Sequence, residues 1–432
     1  MSAARYLLAY FLILLSGALA VFSVNWIVDP YHVNAQLRSP ALNAFKPEHD
    51  THMLLAKAYG VRREKPQAIV IGSSRSGDGF NALHPGLGGP AAPAYNLGLD
   101  GGNIRHVAAY FRHAVAVSEL RTAVVGLDYF MFNQANDRHQ LDFDATLLAG
   151  QGHRVPAALG QAKAYFSFDA LLSSARTVLS QKPGLLAPLL HGMRGTVDYD
   201  RALAQEGVRG NFARVLRHFA ETAYLPRPGF AFSLGEGAES SLETLREMLV
   251  QARGSGVKLH LVINPAHAWD SELIRSLGLW EEFENWKRAL VRLVEQEAPG
   301  ALAGQAQGSM LALWDFSGYN SITTEAVPAA DAPRAPMAWF LDAEHFNQKA
   351  GDLVLDRVLG HADAARTLPA DFGVRLTAVN IEGVLARTRL DRTDYARTNP
   401  SDVAEVTAIA KAWLVEANSA RGRSGSAKQT PQ

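Results

Sequence analysis

Hydrophobic residues in this 432-residue chain fall into three kinds of run, each predicting a different element. Residues 6–28 carry no charge, and about 23 such residues suffice to cross a hydrocarbon core with some tilt. Short apolar runs rich in β-branched residues follow at 68–71 (after the breaker Pro66), 94–97, 122–127, 257–263 and 310–314. Bounded by Gly, Pro and Asn, they read as buried strands of a parallel sheet, with 310–314 the last. Between them, apolar residues at helical spacing predict helices over 104–118, 240–253, 271–297 and 348–359. In the longest, Leu273, Leu277, Trp280, Phe283, Trp286, Leu290 and Leu293 share one face, by default the core face.

Strands alternating with helices call for a parallel sheet with right-handed crossovers, hence the α/β class. From 133 to 238 the alternation stops and Leu, Ala and scattered aromatics recur at helical spacing, so a helical insertion is expected there. The plan is then an anchor at 1–28, a connector with an approach helix at 29–64, and an α/β domain in two parts, 65–132 and 239–360, around the insertion at 133–238. A C-terminal extension at 361–419 includes an amphipathic helix over 400–417, and the polar tail at 420–432 is expected to be disordered.

Charge and composition narrow the function. Lys plus Arg and Asp plus Glu both number 42, and no basic stripe stands out, which argues against nucleic-acid binding. The absence of cysteine excludes disulfides, zinc–thiolate sites and thiol nucleophiles. Arg5 before the apolar run and Asp29 after it put the amino terminus in the cytoplasm and the remainder outside, with Trp26 and Tyr31 near the outer interface. A cleavable signal peptide ending at Ala18-Leu19-Ala20 competes with this reading, but the apolar character continuing through Trp26-Ile27-Val28 favours an uncleaved anchor. The expected location is a single-pass protein of the inner membrane with an extracytoplasmic, periplasmic domain.

Two stretches carry candidate chemistry. The strand at 68–71 ends in Gly72-Ser73-Ser74-Arg75, and in open α/β sheets ligands gather at the carboxyl ends of the strands. These serines either bond their own backbone and cap the next helix or offer a hydroxyl nucleophile. Near the other end stands Asp342-Ala343-Glu344-His345. On a turn entering a helix, residues three apart lie on one side, so the carboxylate can hold one imidazole nitrogen while the other faces a distant serine. His267, after the strand at 257–263, is either a ligand for a sugar or anionic acyl donor or a loop histidine held by backbone. His139, His153, His191 and His218 lack metal-ligand spacing, and no metal or organic cofactor is implied.

An early strand ending in Gly-x-Ser and a late Asp-x-x-His resemble the SGNH (GDSL-like) hydrolase superfamily over roughly 68–359, the insertion excepted. The resemblance implies a flavodoxin-like, three-layer parallel sheet with a helical insertion and an N-terminal transmembrane helix. It gives the nucleophile to Ser74, with Ser73 where an aspartate is usual, and the base and its orienting acid to His345 and Asp342. Asn96-Leu97-Gly98 with Gly101 looks like the second block, whose glycine (Gly98) N–H binds the oxyanion beside the Ser74 N–H. Where the third block has Gly-x-Asn-Asp, this chain reads Gly126-Leu127-Asp128, and a carboxylate cannot donate to an oxyanion. Asn103, Asn133 and Asn264 are the candidate replacement donors, and Arg75 a source of positive charge. Asp128 is otherwise a strand-end acid bonding the Gly72 loop. Similar proteins with one membrane segment and Gly-Ser-Ser serve teichoic-acid D-alanylation and exopolysaccharide O-acetylation. Implied are an acyl donor, a glycan acceptor and a membrane-bound acyltransferase partner. Transfer of an acyl group to a polysaccharide, its hydrolysis, and a non-catalytic assembly role all follow from that likeness.

Overall fold

The five apolar runs lie side by side. The computed structural model describes residues 3–34, 39–136, 148–149, 165–182, 190–225, 229–233, 240–298, 310–332 and 336–426. Strands β1 (Ala68–Ser73), β2 (Tyr95–Leu99), β3 (Thr122–Leu127), β4 (Lys258–Ile263) and β5 (Leu311–Asp315) are mutually parallel, and β6 (Val374–Arg375) runs antiparallel to β5. Their order is β2-β1-β3-β4-β5-β6. Every residue of β1 is buried, so the strand is covered on both faces, as its unbroken apolar run requires. The chain reverses its direction of travel across the sheet between β1 and β3. A crevice at the carboxyl ends of these two strands is the usual ligand position in such a sheet.

Helices α1 (Ala3–Val28) and α2 (Met53–Glu64) precede β1. α3 (Ser74–Gly79) joins β1 to β2, and α4 (Ile104–Val117) joins β2 to β3. Between β3 and β4 come α5 (Phe168–Leu179), α6 (Val197–Phe219) and α7 (Ser241–Gly254); α6 bends at Gly207 and runs into a wide turn at Ala220–Tyr224. α8 (Ala268–Ser276) and α9 (Trp280–Glu297) lead to β5, and α10 (Gln348–Leu359), α11 (Ile381–Thr398) and α12 (Pro400–Ser426) complete the chain.

Three expectations are corrected. The helix expected over 271–297 is two, because Gly278 sits at φ +79°, a conformation that ends a helix and that side chains resist. The sheet does not end at β5: β6 pairs Val374 and Arg375 with Asp315 and Trp314, and two residues have no alternation to read. α11 buries only Ile381, Leu385 and Tyr395 among many charged residues, so its apolar period is faint, and α12 is helical to Ser426, well into the expected tail. Residues 427–432 lie outside the described residues.

The chain groups into two compact units. The first holds residues 1–66, 112–119 and 141–195, and the second holds 67–111, 120–140 and 196–432, including the whole sheet. The insertion therefore does not form one lobe: α5 belongs to the first unit and α6 to the second. Among its described residues it contributes no strand. His139 and His153 lie outside the described residues. In the first unit Tyr31 is packed against the His52 ring at 3.9 Å and buried.

Candidate active site

The serine pair divides its labour at the end of β1. Ser73 is the N-cap of α3: its Oγ accepts the Arg75 N–H at 3.1 Å and donates to Asp128 Oδ2 at 2.5 Å. Ser74, first in the helix, has no intrahelical acceptor for its N–H. Its Oγ turns the other way and lies 2.8 Å from His345 Nε2. The imidazole's Nδ1 is 2.9 and 3.0 Å from the two Asp342 oxygens, so Asp342 accepts from Nδ1–H and leaves Nε2 as the acceptor for the serine proton.

The turn that presents this pair is tightly made. Phe340 and Phe346 bridge across it, Leu341 N donates to His345 O at 2.8 Å, and Asn347 caps α10. Asp342 Oδ1 also accepts the N–H groups of Glu344 and His345, an Asx turn that fixes the carboxylate before it meets the imidazole. Burial works against the imidazolium, but the Asp342 charge and hydrogen bond, with Asp78 behind, outweigh it and Arg75, raising the His345 pKa above the ordinary histidine value.

Beneath the Ser74–His345 pair lies a buried charge cluster. Arg75 is paired with Glu344, with Asp128 Oδ1 at 3.3 Å and with Asp270 Oδ2 at 3.6 Å, while its guanidinium lies over the Phe130 and Phe219 rings. Asp270 also accepts from the Tyr224 hydroxyl at 2.6 Å. Burial pushes the Asp270 carboxyl up, against the pull of Arg75 and Tyr224. Ser74–His345 and Arg75–Glu344 thus form two adjacent cross-links between the same two turns.

The remaining candidates fall elsewhere. Gly98 N–H, expected to receive an oxyanion, donates to Asn96 Oδ1 at 2.8 Å because Asn96 folds back on its own strand. Asn96 Nδ2 meanwhile bonds the carbonyls of Ser76, Gly77 and Phe80, stapling α3 to β2. Asp128 is a strand-end acid on the Gly72 loop, its oxygens taken by Ser73, Arg75 and Asn264. Asn264 bonds Asp128 and Ser76, Asn133 the Ala223 carbonyl, and the Asn103 oxygen the His106 N–H at the start of α4. His267 caps α8 through Nδ1 and donates from Nε2 to Glu325 O at 2.7 Å, a loop histidine held by backbone. Burial lowers its pKa to about 4. Arg75 faces three carboxylates, so its charge is spent inside the protein rather than on a ligand.

Sequence reasoning missed Asp78, Tyr199, Glu344, Asp270 and Tyr224. The Tyr199 hydroxyl donates to Asp78 Oδ2 at 2.6 Å, and its ring stands 5.7 Å from that of His345. Two of these had a signal: Asp78 is one helical turn beyond Ser74, and Glu344 lies inside the Asp-x-x-His block.

No protein-family model and no curated protein matches this sequence. The functional reading rests on the arrangement of Ser74, His345 and Asp342.

Proposed function

We propose that this chain is a membrane-anchored, extracytoplasmic serine acyltransferase of SGNH type, acting on a polysaccharide with an acetyl-type group. The observation that carries it is the Ser74 Oγ to His345 Nε2 contact of 2.8 Å with Asp342 on the other nitrogen. The parallel strand order β2-β1-β3-β4-β5 is the flavodoxin-like one expected of that superfamily. Ser74 Oγ attacks the acyl carbonyl as its proton passes to His345 Nε2, and His345 returns the proton to the leaving group of the donor. An acceptor hydroxyl then gives its proton to His345 and takes the acyl group, and His345 returns that proton to the departing Ser74 Oγ. Water in place of that hydroxyl gives hydrolysis instead. Of the expected oxyanion donors, the Gly98 N–H is already bonded to Asn96. That engagement favours a second reading, a non-catalytic assembly factor.

The test is hydrolysis of an activated acetyl ester by the full chain in detergent, with mass spectrometry for an acetylated serine. Ser74→Ala or His345→Ala alone should remove nearly all turnover, about 10⁶-fold or roughly 8 kcal/mol in a well-formed triad. Ser73→Ala should retain far more activity, because Ser73 Oγ faces Asp128. Acetyl label on Ser73, or equal activity in all three variants, sinks the assignment of Ser74.

A further inference from the structure

α5 is built inside out. In a water-facing helix the buried stripe is apolar and the exposed one polar. Here the buried positions are Ala170, Ser173, Ser174 and Thr177, one small or hydroxyl-bearing face. The opposite face carries Phe168, Leu172, Ala175 and Leu179, with Phe168 79% exposed, Leu172 54% and Leu179 86%. Such a helix would be a liability in water. Small residues and hydroxyls inside, with large apolar side chains outside, is how helices pack in lipid.

The neighbour of α5 in the same unit is α1, the described helix long and apolar enough to cross a membrane. Residues 3–20 of α1 are all exposed, a length of about 27 Å at 1.5 Å per residue, close to the roughly 30 Å hydrocarbon core. Contact with the α5 segment begins just beyond. Phe22 packs against Phe166 with tilted rings 4.9 Å apart and meets Tyr165 edge-on at 5.7 Å. Buried Asn25 then donates to the Tyr165 and Ser167 carbonyls at 2.8 and 3.1 Å and accepts from Ser174 Oγ at 2.9 Å. The exposed face of α5 therefore continues the apolar surface of α1 at the depth where that helix leaves the hydrocarbon.

We propose that α5 is an interfacial helix, its Phe168–Leu172–Leu179 face seated among the acyl chains of the leaflet that α1 exits at its carboxyl end. This goes beyond the acyl-transfer reading and rests on α1 spanning the bilayer. Asp169 and Arg176, exposed beside the stripe, stand at headgroup level, Arg176 bonded to Glu48 at 3.2 Å.

The chain has no cysteine, so single substitutions can carry a fluorescent thiol label into the full protein reconstituted in phosphatidylethanolamine–phosphatidylglycerol nanodiscs. Labels at Phe168→Cys, Leu172→Cys and Leu179→Cys should be quenched several-fold more by nitroxide-bearing acyl chains than by aqueous iodide, matching Leu12→Cys in α1. Val379→Cys, 92% exposed in the other unit, should show the reverse. Iodide quenching of the α5 labels with lipid quenching retained at Leu12→Cys overturns the proposal and leaves the anchor standing. Iodide quenching at Leu12→Cys as well overturns both. Shielding of the α5 labels from both quenchers means a protein covers the face, which also overturns it.

Discussion

On the acyl-transfer reading, Asp342 foremost and Asp78 behind it set where on the pH scale His345 becomes a base. A histidine must be neutral to take the Ser74 proton, and its pKa is raised by Asp342 and Asp78 against burial, so ester turnover should rise with pH through a midpoint above 6.5. In Asp78→Asn the hydrogen bond from Tyr199 can persist while one charge is lost, and the acid limb should move down toward the ordinary histidine value. An unchanged limb would remove Asp78 from the account. His267 behaves oppositely. Its pKa falls from 6.5 to about 4 on burial, so the unfolded chain binds the proton first as pH drops. Its contribution is complete above 6.5 and is lost between 6.5 and about 4, at most about 3 kcal/mol. His267→Asn, which keeps a capping oxygen, should flatten that part of the stability–pH curve in denaturant titrations; the same slope in both proteins counts against it. Sequence alone made Ser74, Asp342 and His345 legible because each sits in a short block with its own spacing. Tyr199 was not, since it reaches Asp78 across 121 positions from an insertion with no recognisable motif.

At the scale of elements, α3 lies hard against β2. A Cβ on Gly98 would come within 2.2 Å of the Gly77 Cα and 2.3 Å of its N, backbone atoms that cannot rotate away. Gly98→Ala should therefore push α3 off the sheet, moving Ser74 from His345 as well as lowering stability. A near-attack geometry lost by about 1 Å typically costs on the order of 10²-fold in rate. Full ester turnover with an unchanged melting temperature would mean that the helix has room to shift. Gly98 was singled out in the sequence for its amide, whereas the structure uses its missing side chain. The same contrast runs through the sheet. β1 and β3 were legible because strands buried on both faces read as nearly unbroken apolar runs, while β6 and α11 were hidden by brevity and by charge. Where Lys287 pairs with Asp315 at 2.7 Å and with Ser317 at 2.8 Å, the end of β5 is held by a buried lysine that its helix's polar residues gave no reason to single out.

For the molecule as a whole, elements far along the chain complete the surroundings of Ser74. Arg209 of α6 reaches Asp402 at 2.8 Å and Glu405 at 2.5 Å on α12 and lies over the Trp269 ring. The combined change Asp402→Asn and Glu405→Gln should lower the melting temperature and loosen α6, the helix that carries Tyr199. Its ester turnover should then fall, since the Tyr199 ring stands beside His345. A melting curve and turnover identical to the parent's would show α6 to be held by other means. The two-unit grouping was not legible, because 141–195 joins the first unit through contacts such as Asn25–Ser174, which no periodicity announces. The separation of Ser74 and His345 by 271 residues has a temporal consequence. At roughly 5–20 residues per second of synthesis, the serine emerges about 15–50 s before the histidine that would activate it. During that interval the growing chain holds an ordinary hydroxyl, inert toward any activated acyl ester it meets. On the acyl-transfer reading, the chemistry would wait until the block that carries His345 has been made.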